Sequence, residues 1–257
     1  MGIFLAMKQA AHRPLDTTAG AAVRTGLDQL QDAVVEITAE IKPRLRGWLH
    51  LGTAPLTLAA GVVLVWLAPT LATKIGSAVF TGSAVVLFSV SAIYHTGTWS
   101  PRTWAFLRRF DHANIFLLIA GSYTPFSLLL LHGTERVALL ATVWAGAVLG
   151  VLFRVFWTDA PRWLYVPIYV ALGWAAVFFI PSFFSGATRL GLGIGIATFT
   201  LIVVGGVLYT CGGAVYGFQR PDPSPRWFGF HEVFHTFTVL AFVAHYVGVS
   251  LATYSLR

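Results

Sequence analysis

Long apolar stretches, separated by short segments rich in Pro, Gly and Ser, dominate this 257-residue chain. A helix needs about 20 apolar residues to cross a hydrocarbon core about 30 Å thick. Seven stretches meet that requirement, and helix-breaking residues separate them. The pattern therefore predicts seven transmembrane helices, near residues 47–69, 75–96, 110–131, 136–157, 162–181, 190–217 and 231–252.

The N-terminal residues 1–45 have a different pattern. Apolar residues recur there at three- and four-residue spacing, and acidic residues form a second stripe beside them. This pattern is typical of an amphipathic helix. We therefore divide the chain into an amphipathic tail, residues 1–45, and a seven-transmembrane domain, residues 46–257. The apolar stripe is Leu27, Leu30, Val34, Ile37 and Ile41, and the acidic stripe is Asp28, Asp32, Glu36 and Glu40.

The composition supports a membrane protein. Hydrophobic residues make up 56% of the chain, charged residues only 11%, and the mean hydropathy is +0.73. A soluble domain usually carries about 25% charged residues, so this chain has too few to cover a water-facing surface. We expect an all-α membrane protein, a seven-transmembrane helix bundle. The single Cys211 excludes an intrachain disulfide and a cysteine-based metal cluster, so a bound metal would need His and carboxylate ligands.

The Lys and Arg residues are distributed unequally between the two sides of the predicted bundle. Thirteen of the 17 lie in the N-terminal tail and the even-numbered loops. Because cytoplasmic loops carry an excess of Lys and Arg, we predict a cytoplasmic N-terminus and an external C-terminus. Topology and attraction to the lipid bilayer then account for the net charge of +7, and nucleic-acid binding need not be invoked. The four cations on the other side are Lys74, Arg136, Arg189 and Arg257.

Glycines spaced four residues apart recur within the predicted helices, as at Gly146/Gly150 and Gly191/Gly195. Such spacing allows close helix contacts in lipid. The same spacing serves contacts within a chain and contacts in a dimer, and it therefore leaves the oligomeric state open. We interpret it as packing within one chain.

The sequence His231-Glu-Val-Phe-His235 opens the seventh predicted helix. Two His four residues apart lie on one face of a helix and can bind one zinc ion. Ionisable residues are costly at membrane depth, which makes this pair a functional hypothesis. By contrast, we expect His50, His132 and His245 to be interhelical hydrogen-bonding residues.

The predicted topology brings further polar residues to the same depth. His95 lies at the cytoplasmic end of the second helix, and Asp111 lies at the cytoplasmic start of the third. Zinc in a hydrolytic site takes three protein ligands and leaves one position open, so His95 would complete a three-His set with His231 and His235. Ser91 lies one turn before His95 on the same face. Asp111 could act as a general base, and the alternative is an interfacial ion pair with the preceding arginines.

Four motifs in order resemble the signatures of the haemolysin III family, the bacterial branch of the progestin and adipoQ receptors. The resemblance covers about residues 45–252 and implies a seven-helix bundle in the bacterial cell membrane with a Zn²⁺ ion near the cytoplasmic side. Carried over by position, it implies zinc ligands His95, His231 and His235, with Ser91 and Asp111 beside the metal as catalytic residues. The motifs are Ser91-Ala-Ile-Tyr-His95, Arg109-Phe-Asp111-His112, Ile119-Ala-Gly-Ser-Tyr-Thr-Pro-Phe126 and His231-Glu-Val-Phe-His235.

Three functions remain open on the sequence alone. The leading hypothesis is a zinc-dependent hydrolase that uses metal-activated water on an amide or ester of a membrane lipid. An intramembrane metalloprotease would instead use Glu232 as its base. A receptor-like, cytolytic or membrane-homeostasis protein would carry zinc only as a structural staple between helices.

Overall fold

The computed structural model describes residues 43–257, and its regular structure is helical apart from one isolated bridge between Ser224 and Phe228. Seven helical stretches in that range are long and apolar enough to cross a membrane. The predicted all-α, seven-transmembrane fold is confirmed, whereas the predicted amphipathic helix lies outside the described residues. The helices are α1 Trp48–Leu67, α2 Leu71–Thr96, α3 Pro101–Leu130, α4 Gly133–Phe156, α5 Arg162–Gly173, α6 Ile180–Thr188, α7 Leu192–Phe218 and α8 Phe230–Tyr254.

Helix α3 begins nine residues earlier than the predicted residue 110, at Pro101. The prediction was wrong because it treated this proline as a separator. Proline at the first helical position loses no helical hydrogen bond, and the Ser100 hydroxyl accepts the Thr103 N–H at 3.3 Å to cap the helix. Asp111 therefore lies about three turns inside α3 rather than at its start.

The fifth span is broken, although the sequence predicted one helix over residues 162–181. It runs from Arg162 to Thr188 as α5, a 3₁₀ segment Trp174–Phe179 and α6. Pro181 lies in the first turn of α6, where a proline suits a helix start, so the chain resumes its helix there. Ser185 and Gly186, predicted as a connection, lie inside α6.

Helices α2, α3 and α8 form the middle of the bundle. Half or more of the residues in their apolar windows are buried, against 28% or less in the other four spans. Phe242 of α8 packs on Phe80 and Phe88 of α2, with ring centroids 5.2 and 5.3 Å apart. The other spans therefore expose most of their side chains to the surroundings.

The segment before α1 is tied to the loop that precedes α8. The backbone N–H of Arg44 donates to the Arg226 carbonyl at 3.0 Å, and that of Leu45 donates to the Trp227 carbonyl at 3.2 Å. The Arg44 guanidinium also lies 4.7 Å from the Trp227 ring centroid, which adds a cation–π contact. These contacts fix the position at which α8 begins.

Two of the predicted small-residue positions lie in close contacts within this chain. A β-carbon added at Gly150 would collide with the Phe116 ring, and one added at Gly195 would collide with the Ala187 carbonyl oxygen. Glycine thus lets α4 approach α3 and lets α7 approach α6, as expected for packing in lipid.

We predict that Gly195→Ala destabilises the protein and that Gly193→Ala, in the same helix, does not. The first change overpacks a contact against backbone, which costs about 1–3 kcal/mol, whereas a β-carbon at Gly193 meets no atom within 4 Å. Thermal unfolding in detergent measures both variants. Equal melting temperatures for the two variants would contradict this packing.

Candidate metal centre

Three histidines from two of the central helices meet near one end of the bundle. His95 of α2 and His231 and His235 of α8 each offer a ring nitrogen, and these atoms all lie within 4.8 Å of one another. The Nε2 atoms of His95 and His231 are 3.2 Å apart. The ring centroid of His235 is 4.5 Å from that of His231 and 5.3 Å from that of His95. The structure thus brings together the three residues that the sequence predicted as ligands.

The local geometry of each helix explains this convergence. His231 and His235 are one turn apart, so they project from the same face of α8. His95 lies in the last turn of α2 and contacts Asp111 of α3 and His231 of α8. His95 and His235 are only 6% and 2% exposed, and His231 is partly buried. Bulk solvent therefore contributes little to the environment of the three imidazoles.

The donor set fits zinc. In a tetrahedral site with Zn–N bonds of 2.0–2.1 Å, ligand nitrogens lie about 3.3 Å apart, close to the His95–His231 separation. That distance also suits an N–H···N hydrogen bond between two imidazoles. The presence of a third imidazole, that of His235, is therefore what favours a metal site over a simple pair of histidines. The Nδ1 atom of His235 is buried without a hydrogen-bond partner among the described residues.

Asp111 and Ser91 lie beside the three-His cluster. Asp111 Oδ2 is 3.7 Å from His95 Nε2, and its residue is 8% exposed. The arginines before it are engaged elsewhere, since Arg108 pairs with Asp159 at 3.3 Å and Arg109 donates to Thr158. The Ser91 hydroxyl is buried and has no partner within residues 43–257. Both groups are therefore available to a ligand at the cluster, and their roles stay predictions.

The side chain of Glu232 is fully used in holding the start of α8. Its Oε1 accepts the Arg46 Nε–H at 3.1 Å, and its Oε2 accepts the backbone N–H of Gly229 at 2.7 Å. The residue is 1% exposed. Glu232 thus caps the helix and anchors the segment before α1, and each of its oxygens already accepts a hydrogen bond.

The histidines outside the cluster behave differently from one another. His245 Nε2 lies 3.3 Å from the Ile202 carbonyl of α7, as expected for an interhelical hydrogen bond. His132 precedes α4, and its Nδ1 lies 3.0 Å from Nη2 of Arg136 in the first turns of that same helix. The predicted hydrogen bond to another helix is therefore wrong for His132.

His50 is the residue that sequence reasoning missed. It stacks on His235 with ring centroids 3.8 Å apart and planes 18° apart, and neither ring nitrogen has a partner among the described residues. The expected interhelical hydrogen bond is therefore wrong for His50, which instead holds the plane of a cluster histidine. The spacing of residues in α1 carries no signal for this contact.

The fold and the cluster together define a multi-pass membrane protein with a buried three-histidine centre that could bind a metal. A family model described as haemolysin-III related matches residues 38–246. The chain belongs to the haemolysin III family, and the resemblance seen in its motifs is confirmed.

Relatives of this chain occur in bacteria and in animals. It is 27% identical over 214 residues to Hemolysin-3 of Bacillus cereus, a match covering 82% of this chain and 91% of that protein. It is 31% identical over 153 residues to the Hemolysin-3 homolog of Bacillus subtilis (strain 168), covering 59% of this chain and 68% of that protein. It is 26% identical over 200 residues to the adiponectin receptor protein of Drosophila melanogaster, covering 69% of this chain but 42% of the receptor.

We predict that His95→Ala and His235→Ala each abolish stoichiometric zinc binding, because each removes one of three converging nitrogens. His245→Ala is the matched control, since it removes a buried histidine of α8 outside the cluster. Elemental analysis of purified protein after zinc loading and desalting measures the metal content. Near-stoichiometric zinc in both cluster variants would rule out this centre.

Proposed function

We propose that this protein is a zinc-dependent hydrolase that cleaves an amide or ester bond of a membrane lipid. The observation that carries the proposal is the juxtaposition of three imidazole nitrogens within 4.8 Å with a carboxylate 3.7 Å from one of them. A staple alone would need the ligands but not the carboxylate or the unpartnered Ser91 hydroxyl beside them.

The three histidines, Asp111 and Ser91 have different roles in the proposed reaction. The three histidines would hold zinc, which would polarise a carbonyl and lower the pKa of water toward about 7. The Asp111 carboxylate accepts the proton of the attacking water at Oδ2, and it later returns that proton to the leaving amine or alcohol. The Ser91 hydroxyl donates a hydrogen bond to the carbonyl oxygen as negative charge develops there. Water thus replaces the amine or alcohol on the acyl carbon, giving a fatty acid.

The location of the centre supports a lipid substrate. The three histidines and Asp111 are all mostly buried among helices that face hydrocarbon on their outer side. A lipid substrate is already dissolved in the bilayer and would approach such a centre from the side, whereas a soluble substrate would need an aqueous path. The distribution of Lys and Arg favours the cytoplasmic leaflet as the source of the lipid.

The engagement of Glu232 argues against an intramembrane metalloprotease. In that mechanism the glutamate of H-E-x-x-H must face the reacting water. Here its two oxygens are bonded to Arg46 and to the backbone of Gly229.

We predict that Asp111→Asn abolishes lipid hydrolysis and that Glu232→Gln retains most of it. Asparagine cannot accept the proton, and loss of a general base costs about 10²–10⁴-fold in rate. Glutamine keeps one carbonyl oxygen that can accept the Gly229 N–H and cap α8, although its NH2 group cannot replace the contact with Arg46. The assay follows fatty acid release by zinc-loaded protein from a panel of acyl-amide and ester lipids, with zinc content and melting temperature measured for each variant.

Two results would contradict this mechanism. If Glu232→Gln abolishes turnover while zinc and fold are retained, the glutamate is the base. If zinc-loaded wild-type protein hydrolyses no lipid across the panel, the hydrolase proposal fails.

A second candidate is a non-enzymatic receptor-like protein in which zinc joins helices. The arrangement that favours it is the pairing of α2 with α8, which are distant in sequence and share the three ligands. Relatives of this chain include proteins named as a haemolysin and as a receptor.

We expect chelation to lower the melting temperature under either function, because zinc bound to the native state stabilises it by mass action. Melting curves with and without chelator, run alongside the lipid assay, separate the two. A purely structural metal lowers stability on removal with no hydrolysis to lose. A melting temperature unchanged by a chelator that strips the zinc would contradict stabilisation of the folded protein by zinc under either function.

A further inference from the structure

Arg154 is a buried cation without a carboxylate partner among residues 43–257. It lies in the last turn of α4 and is 1% exposed. Its Nη2 is 3.2 Å from Nδ1 of His112, and its guanidinium carbon lies 4.3 Å from the ring centroid of Tyr165. Its Nε and Nη1 have no hydrogen-bond partner in the described part of the chain. Because burial of an unpaired charge is costly, a buried arginine of this kind indicates a functional role.

The hydrogen bonds of this group have only one consistent direction. A guanidinium can only donate, so Nδ1 of His112 must accept from Arg154. The neutral imidazole then carries its proton on Nε2, which lies 3.3 Å from the Tyr216 hydroxyl oxygen and donates to it. The Tyr165 hydroxyl also donates to that oxygen, at 3.3 Å. The Tyr169 hydroxyl donates to the His112 backbone carbonyl at 3.0 Å and holds the segment in place.

Tyr216 therefore accepts two hydrogen bonds and retains its own proton. No acceptor for that proton is present among the described residues, and His112 cannot serve because its Nε2 already bears hydrogen. The Tyr216 oxygen accepts two hydrogen bonds, and one of them comes from a chain that begins at the positively charged Arg154. This polarisation makes the Tyr216 hydroxyl a stronger hydrogen-bond donor.

The position of Tyr216 relates this donor to the candidate metal centre. Its ring centroid is 5.6 Å from that of His231 and 5.0 Å from that of Phe234, so the ring forms part of the wall of the cluster. Arg154, His112 and Tyr216 come from α4, α3 and α7 and meet α8 there. The network thus connects a cation that has no carboxylate partner within residues 43–257 to the hydroxyl of Tyr216, a residue whose ring lies against His231 of the candidate centre.

We propose that the Tyr216 hydroxyl donates a hydrogen bond to an oxygen of the bound acyl group, and that Arg154 and His112 are positioning residues that fix its direction. The group that accepts this hydrogen bond is a carbonyl oxygen that gains negative charge during the reaction, or the carboxylate that the reaction forms. This inference rests on the proposed hydrolysis for its kinetic readout, but donor binding to a carboxylate can be measured without turnover.

The first test compares Tyr216→Phe with Tyr209→Phe in zinc-loaded protein. Both residues lie on α7 and both changes remove one buried hydroxyl, but Tyr209 is next to His245, outside the network. Loss of one donor to a developing oxyanion lowers kcat about 100-fold. We expect that loss for Tyr216→Phe, with KM little changed and zinc content intact, and we expect wild-type kinetics for Tyr209→Phe.

The second test addresses the positioning residues. Arg154→Lys keeps a cationic donor for His112, whereas Arg154→Met removes it. We expect Arg154→Lys to recover a large part of the kcat that Arg154→Met loses, at similar KM and zinc content. Equal kcat in the two variants would overturn the role of Arg154 in orienting the donor.

The third test uses palmitate, a long-chain carboxylate, in phosphatidylcholine nanodiscs. We expect Tyr216→Phe to bind palmitate at least about tenfold more weakly than Tyr209→Phe, because it loses a hydrogen bond to a charged group. If the wild type binds palmitate in this Tyr216-dependent way but hydrolyses no lipid, the hydrolase proposal fails and the donor inference stands. If Tyr216→Phe matches the wild type in both kcat and palmitate affinity, or loses its zinc, the donor inference is overturned. A wild type that neither hydrolyses lipid nor binds palmitate overturns both.

Discussion

The hydrocarbon around a membrane protein offers no hydrogen-bond partners. This constraint determines where polar groups lie throughout the structure. Each span satisfies its backbone internally as a helix, and its polar side chains are stable only where another part of the bundle or a ligand meets them. Helices α2, α3 and α8 are the most buried, and they carry His95, Asp111, His231 and His235. The candidate ligands and Asp111 thus lie where the bundle buries them, and His50 of α1, Arg154 of α4 and Tyr216 of α7 reach the same region from the other spans.

Within the first turns of α8, the same short sequence serves two separate purposes. His231 and His235 lie on the face that meets α2, whereas Glu232 is about 100° further round the helix and meets the segment before α1. The imidazoles can be aligned only if the start of α8 is fixed, and the Glu232 contacts with Arg46 and Gly229 provide that fixed start. The stacking of His50 on His235 adds a further restraint from α1.

The features that follow local rules could be predicted from the sequence. The number of spans follows from apolar length, and the pairing of His231 with His235 follows from helical spacing. The position of His95 near them could be predicted because the number of spans determines which helix ends lie on the same side of the membrane. The start of α3 at Pro101 and the break after Gly173 were missed, because proline begins a helix as readily as it ends one. The partners of His50 and Arg154 depend on which helices are neighbours, and residue spacing does not encode that.

The double engagement of Glu232 has a consequence for how such sequences are classified. The letters H-E-x-x-H spell the signature of soluble zinc peptidases, yet here the glutamate is bound to a cation 186 residues away and to the backbone that precedes its own helix. Positions 46 and 232 are therefore constrained as one unit. Loss of the cation at position 46 would leave a buried carboxylate without its counter-charge, whereas the glutamate of a peptidase faces water and substrate and has no such dependence on a distant residue.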